Sequence, residues 1–392
     1  MRFIFFIFLF VFDSIFIFGL PLYIFLFPFL NKSFVSFFKE YSTSKNIRKI
    51  VNLTFFFSSV LLIIDSIHGF FFKSLNQVFL LNLMTVFIGV ELYVFAKNDR
   101  KIKGIYIILI IFFINAIVSI LQVLEISPFW ELPELVNLYL GNDISDGKYF
   151  DTRFDENGRV RGLFLYIHKF SPAIIASSVF LLWHGLNFKV NKKLFLIVGF
   201  ITFISSILTL TRSIFVGLIV GLVTVIFLYY RRRFFKIFIY SLLILLIGQF
   251  FIVDNNFSNR FGQTNTSTLS NNDNYRLAGM VISYNNFIEN PIIGSYKYSQ
   301  TGLNKVTVHG VFFRILGNYG LIGLFAYLIL LIQLFKTLIK NISQRFKVLF
   351  IVLYSIFFID LITHSSGLMF YDIFQLIFLM FLFGYSKNNN YA

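Results

Sequence analysis

The composition of this 392-residue chain excludes a soluble globular protein. Of its residues 57% are hydrophobic, 20% are aromatic and only 13% are charged, whereas a soluble domain carries roughly 25% charged residues. The formal net charge of +16 does not indicate nucleic-acid binding, because the sequence has no basic soluble domain with interleaved aromatic residues. The chain contains no cysteine, which excludes disulfides and thiolate metal sites. We therefore expect a protein that spans a lipid bilayer.

Apolar segments long enough to cross a membrane recur along the chain. A helix needs about 20 apolar residues to cross a hydrocarbon core of about 30 Å. The following segments meet this requirement: 51–72, 77–96, 104–124, 163–184, 194–211, 213–230, 234–253, 311–335, 348–363 and 368–385. Residues 3–30, interrupted by Pro21 and Pro28, form either one retained anchor or a hairpin. The predicted fold is an all-α bundle of about eleven or twelve spans, a single membrane domain over 1–392.

Lysine and arginine are concentrated in every second connection between these segments. Cytoplasmic loops retain such residues, so we place the basic connections in the cytoplasm: 39–49, 97–103, 189–193, 231–236 and 336–347. Two of the other connections, 125–160 and 254–310, are long. Because loops beyond about 15 residues are usually functional or disordered, we expect the chemistry in these two extracytoplasmic loops.

Two arginines lie where the predicted outer connections meet the membrane. Arg212 stands between two apolar segments in the run Leu210-Thr211-Arg212-Ser213, and Arg161 follows the first long loop, shortly before His168. Guanidinium groups bind phosphate in a bidentate manner. An unpartnered arginine inside a bilayer costs roughly 2.5–3.5 kcal/mol. The alternatives are that Arg212 only extends to the interface and that Arg161 only contacts anionic lipid.

The second long loop contains a predicted helix, 275–287, with Arg276 in its first turn. A helix usually stops before proline, and Pro291-Ile292-Ile293-Gly294 indicates a tight turn. His309 then stands immediately before the next span. A histidine at this edge is either a general base near neutral pH or a hydrogen-bonding structural residue.

Further ionisable residues fall inside or at the ends of the apolar segments. They are Asp13, Asp65, His68, Glu91, Asp360 and Asp372. Such residues must face the interior of the helix bundle or lose their charge. The alternatives are that they form a proton path, that they form hydrogen bonds between helices, and that they lie near the membrane interfaces.

The order of these features resembles the O-antigen ligase and O-antigen polymerase superfamily of bacterial polytopic membrane glycosyltransferases. The resemblance covers about 155–335, in Arg161-Gly162 with His168, Leu208-Thr209-Leu210-Thr211-Arg212-Ser213, Arg276, Pro291-Ile292-Ile293-Gly294, His309 and Asn318-Tyr319-Gly320-Leu321-Ile322-Gly323-Leu324. Two positions depart from the family pattern. Thr211 replaces a usual serine, and Gly310 replaces the asparagine that usually follows the histidine.

The resemblance implies transfer or polymerisation of a saccharide from an undecaprenyl-diphosphate-linked donor to a sugar hydroxyl of a glycan or lipid-glycan acceptor. The reaction would occur at the outer face of the bacterial cytoplasmic (inner) membrane. By the same resemblance Arg212 and Arg276 bind the diphosphate, Arg161 supports that site, and His309 positions or deprotonates the acceptor hydroxyl. No metal ion or cofactor is then required, because the arginines neutralise the leaving group.

The competing interpretation is a transporter, such as a flippase of lipid-linked oligosaccharide. Such a protein is expected to show repeat-related halves and charges at the middle of the bilayer. In this sequence the informative charges lie on one predicted face, beside the two long loops. This distribution favours the enzyme, and it leaves ligase and polymerase as alternatives.

Overall fold

The structure of the protein, a computed structural model, describes residues 16–17, 20–21, 33–70, 75–99, 103–124, 126, 129, 160, 162–163, 167–209, 211–229, 272–297, 310–340, 342–363 and 374–388. Its helices are α1 (Ser33–Thr43), α2 (Lys45–Ile67), α3 (Leu81–Asn98), α4 (Lys103–Val123), α5 (Ile167–Asn187), α6 (Lys192–Leu208), α7 (Arg212–Tyr229), α8 (Asn272–Glu289), α9 (Val311–Lys340), α10 (Gln344–Thr363) and α11 (Phe374–Ser386). A π-helical turn, Leu75–Leu80, leads into α3. Within these ranges the only strands are β1 (Phe16–Ile17) and β2 (Leu20–Pro21), which pair antiparallel. The predicted all-α class is confirmed.

Among the described residues, 6 helices are long and apolar enough to cross a membrane. They are α2, Val78–Asn98 (which includes all of α3), α4, Phe170–Asn187 of α5, α9 and α10. Shorter apolar helices lie at Ser213–Leu228 in α7 and at α11, and α6 occupies most of the predicted span 194–211. The prediction of a helical protein that crosses the membrane several times is therefore confirmed. The predicted span 234–253 and most of 3–30 lie outside the described residues.

The chain divides into two compact units. The first unit comprises Met1–Leu30, Ile102–Thr264 and Ile351–Ile356. The second unit comprises Asn31–Lys101, Asn265–Phe350 and Phe357–Ala392. The first unit thus contains α4 to α7, and the second contains α1 to α3, α8, α9 and α11.

Small residues allow the helices of the first unit to approach closely. A β-carbon built on Gly185 in α5 would lie 2.8 Å from Leu196 Cγ in α6, and one on Gly199 would lie 2.9 Å from Leu182 Cγ. In the same way Gly217 of α7 faces the backbone of Ser355 and Ile356 in α10. Such small-residue contacts are the usual means of helix packing in a bilayer. They fix α7, the helix that begins at Arg212.

The second unit is built around α9, which packs against both α2 and α8. Tyr327 of α9 is fully buried. Its ring centroid lies 5.3 Å from that of Phe57 in α2 and 5.5 Å from that of Phe312. Aromatic pairs at this separation add to the burial of apolar area. These contacts hold α9, the helix on which α8 packs.

Candidate functional site

The four predicted site residues are divided equally between the two units. Arg212 is the first residue of α7 in the first unit, and Arg276 lies in α8 of the second unit. The helix α8 begins at Asn272, three residues before the predicted start, so Arg276 lies in its second turn. Asparagine and aspartate at the start of this helix are typical of a helix N-terminus. Arg161 and His309 lie outside the described residues, but the residue that follows each of them is described.

In the first unit, side chains of α4 bind the backbone directly after Arg161. The Gly162 N–H donates to Gln122 Oε1 (3.0 Å), and Gln122 Nε2 donates to the Gly162 carbonyl (2.9 Å). The next amide, Leu163 N–H, donates to Asn115 Oδ1 (3.0 Å). Both side chains are fully buried. Because buried backbone polar groups need partners, these three bonds hold the end of the first long loop in place.

A continuous series of contacts leads from this backbone to the start of α7. Gly162 lies against the Phe170 ring, so that a β-carbon on it would be 3.0 Å from a ring carbon. The neighbouring Ser171 Oγ lies 2.7 Å from Thr211 Oγ1, and both residues are buried. These contacts connect the two backbone positions that adjoin the predicted phosphate-binding arginines of the first unit.

In the second unit, the helix that carries Arg276 packs directly on α9. A β-carbon built on Gly317 would lie 2.8 Å from the Cα atom of Ser283 in α8. Ser283 is 2% exposed, which shows that this face of α8 is covered. The predicted helix in the second long loop is therefore present, and it is seated on a membrane-spanning helix.

The predicted turn after α8 is present, and it fits a break in α9. Gly294 N–H donates to the Asn290 carbonyl (2.8 Å), which closes the turn. Inside α9, Gly320 has φ +60° and ψ −158°, values that interrupt the helix. The amides after the break are satisfied by the turn, since Leu321 N–H donates to the Pro291 carbonyl (2.9 Å) and Ile322 N–H to the Ile292 carbonyl (3.2 Å). The proline-glycine turn and the glycine-rich start of the next span are thus one structural unit.

The same segments carry a family signature. Residues 194–328 match the O-antigen ligase family. No curated protein matches the chain. The resemblance to the O-antigen ligase superfamily is confirmed for this region, which is about a third of the sequence.

The region that matches the O-antigen ligase family contains most of the predicted site. It includes Arg212, Arg276 and His309, and it includes both the turn at 291–294 and the break at Gly320. Arg161 lies before its first residue. The part of the chain that matches the family is reached from Gly162 through Phe170 and its neighbour Ser171, which contacts Thr211.

Gly310, one of the two departures from the O-antigen ligase pattern, has a physical explanation. Its φ is +86°, and a β-carbon built on it would lie 2.6 Å from the Ile362 carbonyl oxygen at the end of α10. Both the backbone conformation and the space favour glycine. The close contact also fixes the chain at the position that directly follows His309.

The structure assigns partners to several of the predicted intramembrane ionisable residues. Asp360 accepts a hydrogen bond from Gln375 Nε2 (2.8 Å). Asp65 accepts hydrogen bonds from two tyrosines, and His68 Nε2 lies 3.3 Å from the Ile293 carbonyl oxygen. These contacts match the hydrogen-bonding interpretation of such residues. Asp13 and Asp372 lie outside the described part of the chain.

Gln122 and Asn115 are not among the site residues predicted from the sequence. Both lie inside a long apolar segment, where an isolated amide side chain is rare, and that rarity was the available signal. It indicated a buried polar contact, but the contacted residue is 40 residues away for Gln122 and 48 for Asn115. Only the folded chain shows that the contacted backbone adjoins Arg161.

Proposed function

We propose that this protein transfers a saccharide from an undecaprenyl-diphosphate-linked donor to a hydroxyl of an acceptor sugar. The observation that carries the proposal is the O-antigen ligase match over 194–328, because three of the four predicted site residues fall within it. In this reaction the oxygen of the acceptor hydroxyl attacks the anomeric carbon. The bond from that carbon to the diphosphate oxygen breaks, and undecaprenyl diphosphate leaves. Direct displacement of this kind inverts the anomeric configuration.

The proposed roles follow from the chemistry of the side chains. Arg212 and Arg276 bind the diphosphate and stabilise the charge that develops on it as it leaves. Arg161, which follows the first long loop, adds a further positive charge to this site. His309 accepts the proton of the acceptor hydroxyl as the new bond forms. Because the arginines supply the positive charge, the reaction proceeds without a metal ion.

The structure supports the proposed diphosphate site through the rigidity of the adjoining backbone. Positively charged groups stabilise a transition state best when they are already in position before the reaction. Buried hydrogen bonds hold Gly162 and Thr211, the neighbours of Arg161 and Arg212. The packing of α8 on α9 holds the helix of Arg276.

The proposed location is the extracytoplasmic face of the bacterial inner membrane. The alternation of basic and non-basic connections supports it, because lysine and arginine remain in the cytoplasm. The two long loops, 125–160 and 254–310, would then meet donor lipid that has reached the outer leaflet.

Reconstitution in liposomes tests the proposal directly. The purified protein receives an undecaprenyl-diphosphate-linked oligosaccharide and an acceptor glycan, with and without EDTA. We expect a glycosidic product and released undecaprenyl diphosphate, at the same rate in both samples. Movement of intact donor between leaflets without bond cleavage would instead support the transporter. Loss of the product in EDTA would contradict metal independence.

A deletion strain distinguishes the two forms of the reaction. On a saccharide gel, loss of the polymer ladder with one repeat unit retained indicates a polymerase. Accumulation of polymer still attached to the lipid indicates a ligase.

A further inference from the structure

A buried carboxylate near the end of α2 binds two segments of the second unit. Asp65 is 2% exposed. Its Oδ1 accepts a hydrogen bond from the Tyr296 hydroxyl (2.6 Å), and its Oδ2 accepts one from the Tyr319 hydroxyl (3.2 Å). A buried carboxylate is costly unless its oxygens are hydrogen-bonded. We call this group of Asp65, Tyr296 and Tyr319 the Asp65 latch.

The latch holds both the turn at 291–294 and the part of α9 that contains the break at Gly320. Tyr296 follows the turn that ends at Gly294, and Tyr319 directly precedes the break at Gly320. Between them, Ser295 N–H donates to the Gly317 carbonyl (3.0 Å). One carboxylate therefore contacts the turn on one side and the broken helix on the other.

Other groups at the same end of α2 reinforce these contacts. His68 Nε2 lies 3.3 Å from the Ile293 carbonyl oxygen within the turn. The rings of His68 and Phe70 make edge contacts with the Tyr296 ring, with centroids 5.5 Å and 5.1 Å apart. Burial and the neighbouring Tyr319 and Asp65 groups raise the pKa of the Tyr296 phenol well above its ordinary value. The phenol therefore keeps the proton that it donates to Asp65.

The position of the latch in the chain relates it to the proposed transfer site. The helix α8, which carries Arg276, ends directly before the turn that the latch holds. His309 lies two residues before Val311, where the helix that contains Tyr319 begins. Along the chain, Tyr296 thus lies between the two predicted site residues of the second unit, and Tyr319 lies after His309.

We propose that Asp65 is a positioning residue for saccharide transfer. Through Tyr296 it holds the turn that follows the helix of Arg276, and through Tyr319 it holds the helix that begins two residues after His309. This inference rests on the proposed function, because a position matters for the rate only if those two residues act on the donor and the acceptor.

Three variants test the latch. Tyr296→Phe removes one hydroxyl and keeps the ring. Asp65→Asn keeps the size of the side chain, and Asp65→Leu removes both acceptors. Tyr284→Phe is the matched control, because Tyr284 lies on α8 of the same unit and is 62% exposed. If Asp65→Leu does not fold, the milder Tyr296→Phe carries the test.

Two measurements are made on each folded variant in liposomes. Hydrogen–deuterium exchange over 290–297 reports whether the turn is held, independently of activity. The single-turnover rate of saccharide transfer at saturating donor reports the position of the reacting groups. We expect Tyr296→Phe to exchange faster over 290–297 and to transfer about tenfold more slowly, with Tyr284→Phe equal to wild type. Asp65→Asn, which can still accept one of the two bonds, should lose less than Asp65→Leu.

Combination with Arg276→Lys separates positioning from a general effect on folding. If the latch acts through Arg276, Tyr296→Phe should slow transfer much less in the Arg276→Lys background than in wild type. Equal losses in wild type and in this background, repeated in a His309→Gln background, would overturn the inference.

Three other results would also overturn the inference. Unchanged exchange over 290–297 in Tyr296→Phe and Asp65→Leu would show that the latch does not hold the turn. Faster exchange with wild-type transfer would show a latch without effect on the reaction. Absence of transfer by the wild-type protein would reject the proposed function together with the inference. This result differs from the others because no variant would then show transfer either.

Discussion

The side-chain amide of Gln122 pairs with both backbone polar groups of Gly162, 40 residues later in the chain. The two bonds resemble those between adjacent strands, although one partner is a side chain inside a membrane-spanning helix. In an apolar environment neither member can exchange its partner for water. The pairing therefore fixes the backbone at Gly162, the residue that directly follows Arg161.

The first prediction concerns this pairing. Gln122→Met keeps the volume of the side chain but leaves the Gly162 N–H and carbonyl without their partner, at a cost of about 1–3 kcal/mol for each group. We expect the dissociation constant of the lipid-linked donor to rise about tenfold, or ~1.4 kcal/mol. Binding of a fluorescent donor analogue to purified protein measures it.

Thr202→Val is the control for the Gln122 variant. Thr202 is also fully buried, but its hydroxyl donates only within α6, to the Val198 and Gly199 carbonyls. We expect it to leave donor binding unchanged. In an Arg161→Ala background, Gln122→Met should add no further loss. A full additional loss there would show that Gln122 does not act through Arg161.

The second prediction concerns the two arginines that are proposed to bind the diphosphate. Lysine keeps the charge but not the planar pair of donors, so Arg212→Lys and Arg276→Lys should each lower turnover about tenfold. The alanine variants should lose about 10²-fold or more. Arg345→Lys, an exposed arginine in a predicted cytoplasmic connection, is the control. Near-normal product from either alanine variant at equal protein abundance would remove that arginine from the site.

The third prediction concerns His309. Glutamine retains hydrogen bonding but cannot act as a base, so His309→Gln should bind donor normally and lose at least about 10²-fold in transfer rate. Because protonation removes the base, the wild-type rate should fall as the pH is lowered through the histidine pKa. That dependence should be absent from the residual rate of the variant. Transfer within a few-fold of wild type would reject the base role, and loss of donor binding would indicate a structural or diphosphate-binding histidine.

The fourth prediction concerns orientation. Since the native chain has no cysteine, a single substituted cysteine gives an unambiguous label. Ser145→Cys and Ser267→Cys should react with an impermeant maleimide in cells whose outer membrane is permeabilised. Ser343→Cys, in a predicted cytoplasmic connection, should react only after lysis. The reverse pattern would invert the topology.

The fifth prediction concerns the glycine that follows His309. Gly310→Asn restores the residue that is usual in the family, yet its β-carbon would meet the Ile362 carbonyl oxygen. We expect a lower melting temperature in detergent, because a side chain at φ +86° costs about 1–3 kcal/mol and the contact adds to this cost. Gly69→Asn separates the two causes, since Gly69 has φ +81° and nothing within 4 Å of its β-carbon position. An equal loss in both variants would show that the contact with Ile362 is unimportant.

Local patterns predict the elements of this structure well. Continuous apolar runs predict membrane-spanning helices because a bilayer leaves the backbone few other ways to satisfy its polar groups. Asn290-Pro291 predicts the end of α8, and Gly294 predicts the turn, because proline and glycine act on the adjacent backbone alone. The arginines and the histidine are recognised by residue type and order.

Contacts between distant segments are not predictable from these patterns. The break at Gly320 lies inside an apolar run whose pattern predicts one continuous helix. Only the structure shows that the amides after the break bond to the turn at 291–294. Asp65 is recognisable as an intramembrane carboxylate, but its tyrosine partners are 231 and 254 residues away. Such pairs depend on how helices pack, which a single sequence does not specify.

The docked turn also bears on how the protein is made. At the break in α9, the amides of Leu321 and Ile322 are bonded to carbonyls of a segment that the ribosome synthesises earlier. When α9 leaves the translocation channel, these acceptors have already been made. If a permuted gene encoded residues 272–297 after α9, these acceptors would be absent while α9 leaves the channel, and the two amides could bond only to carbonyls of α9 itself, as in a continuous helix. The broken form of α9 therefore depends on a segment that is synthesised before it as well as on its own residues.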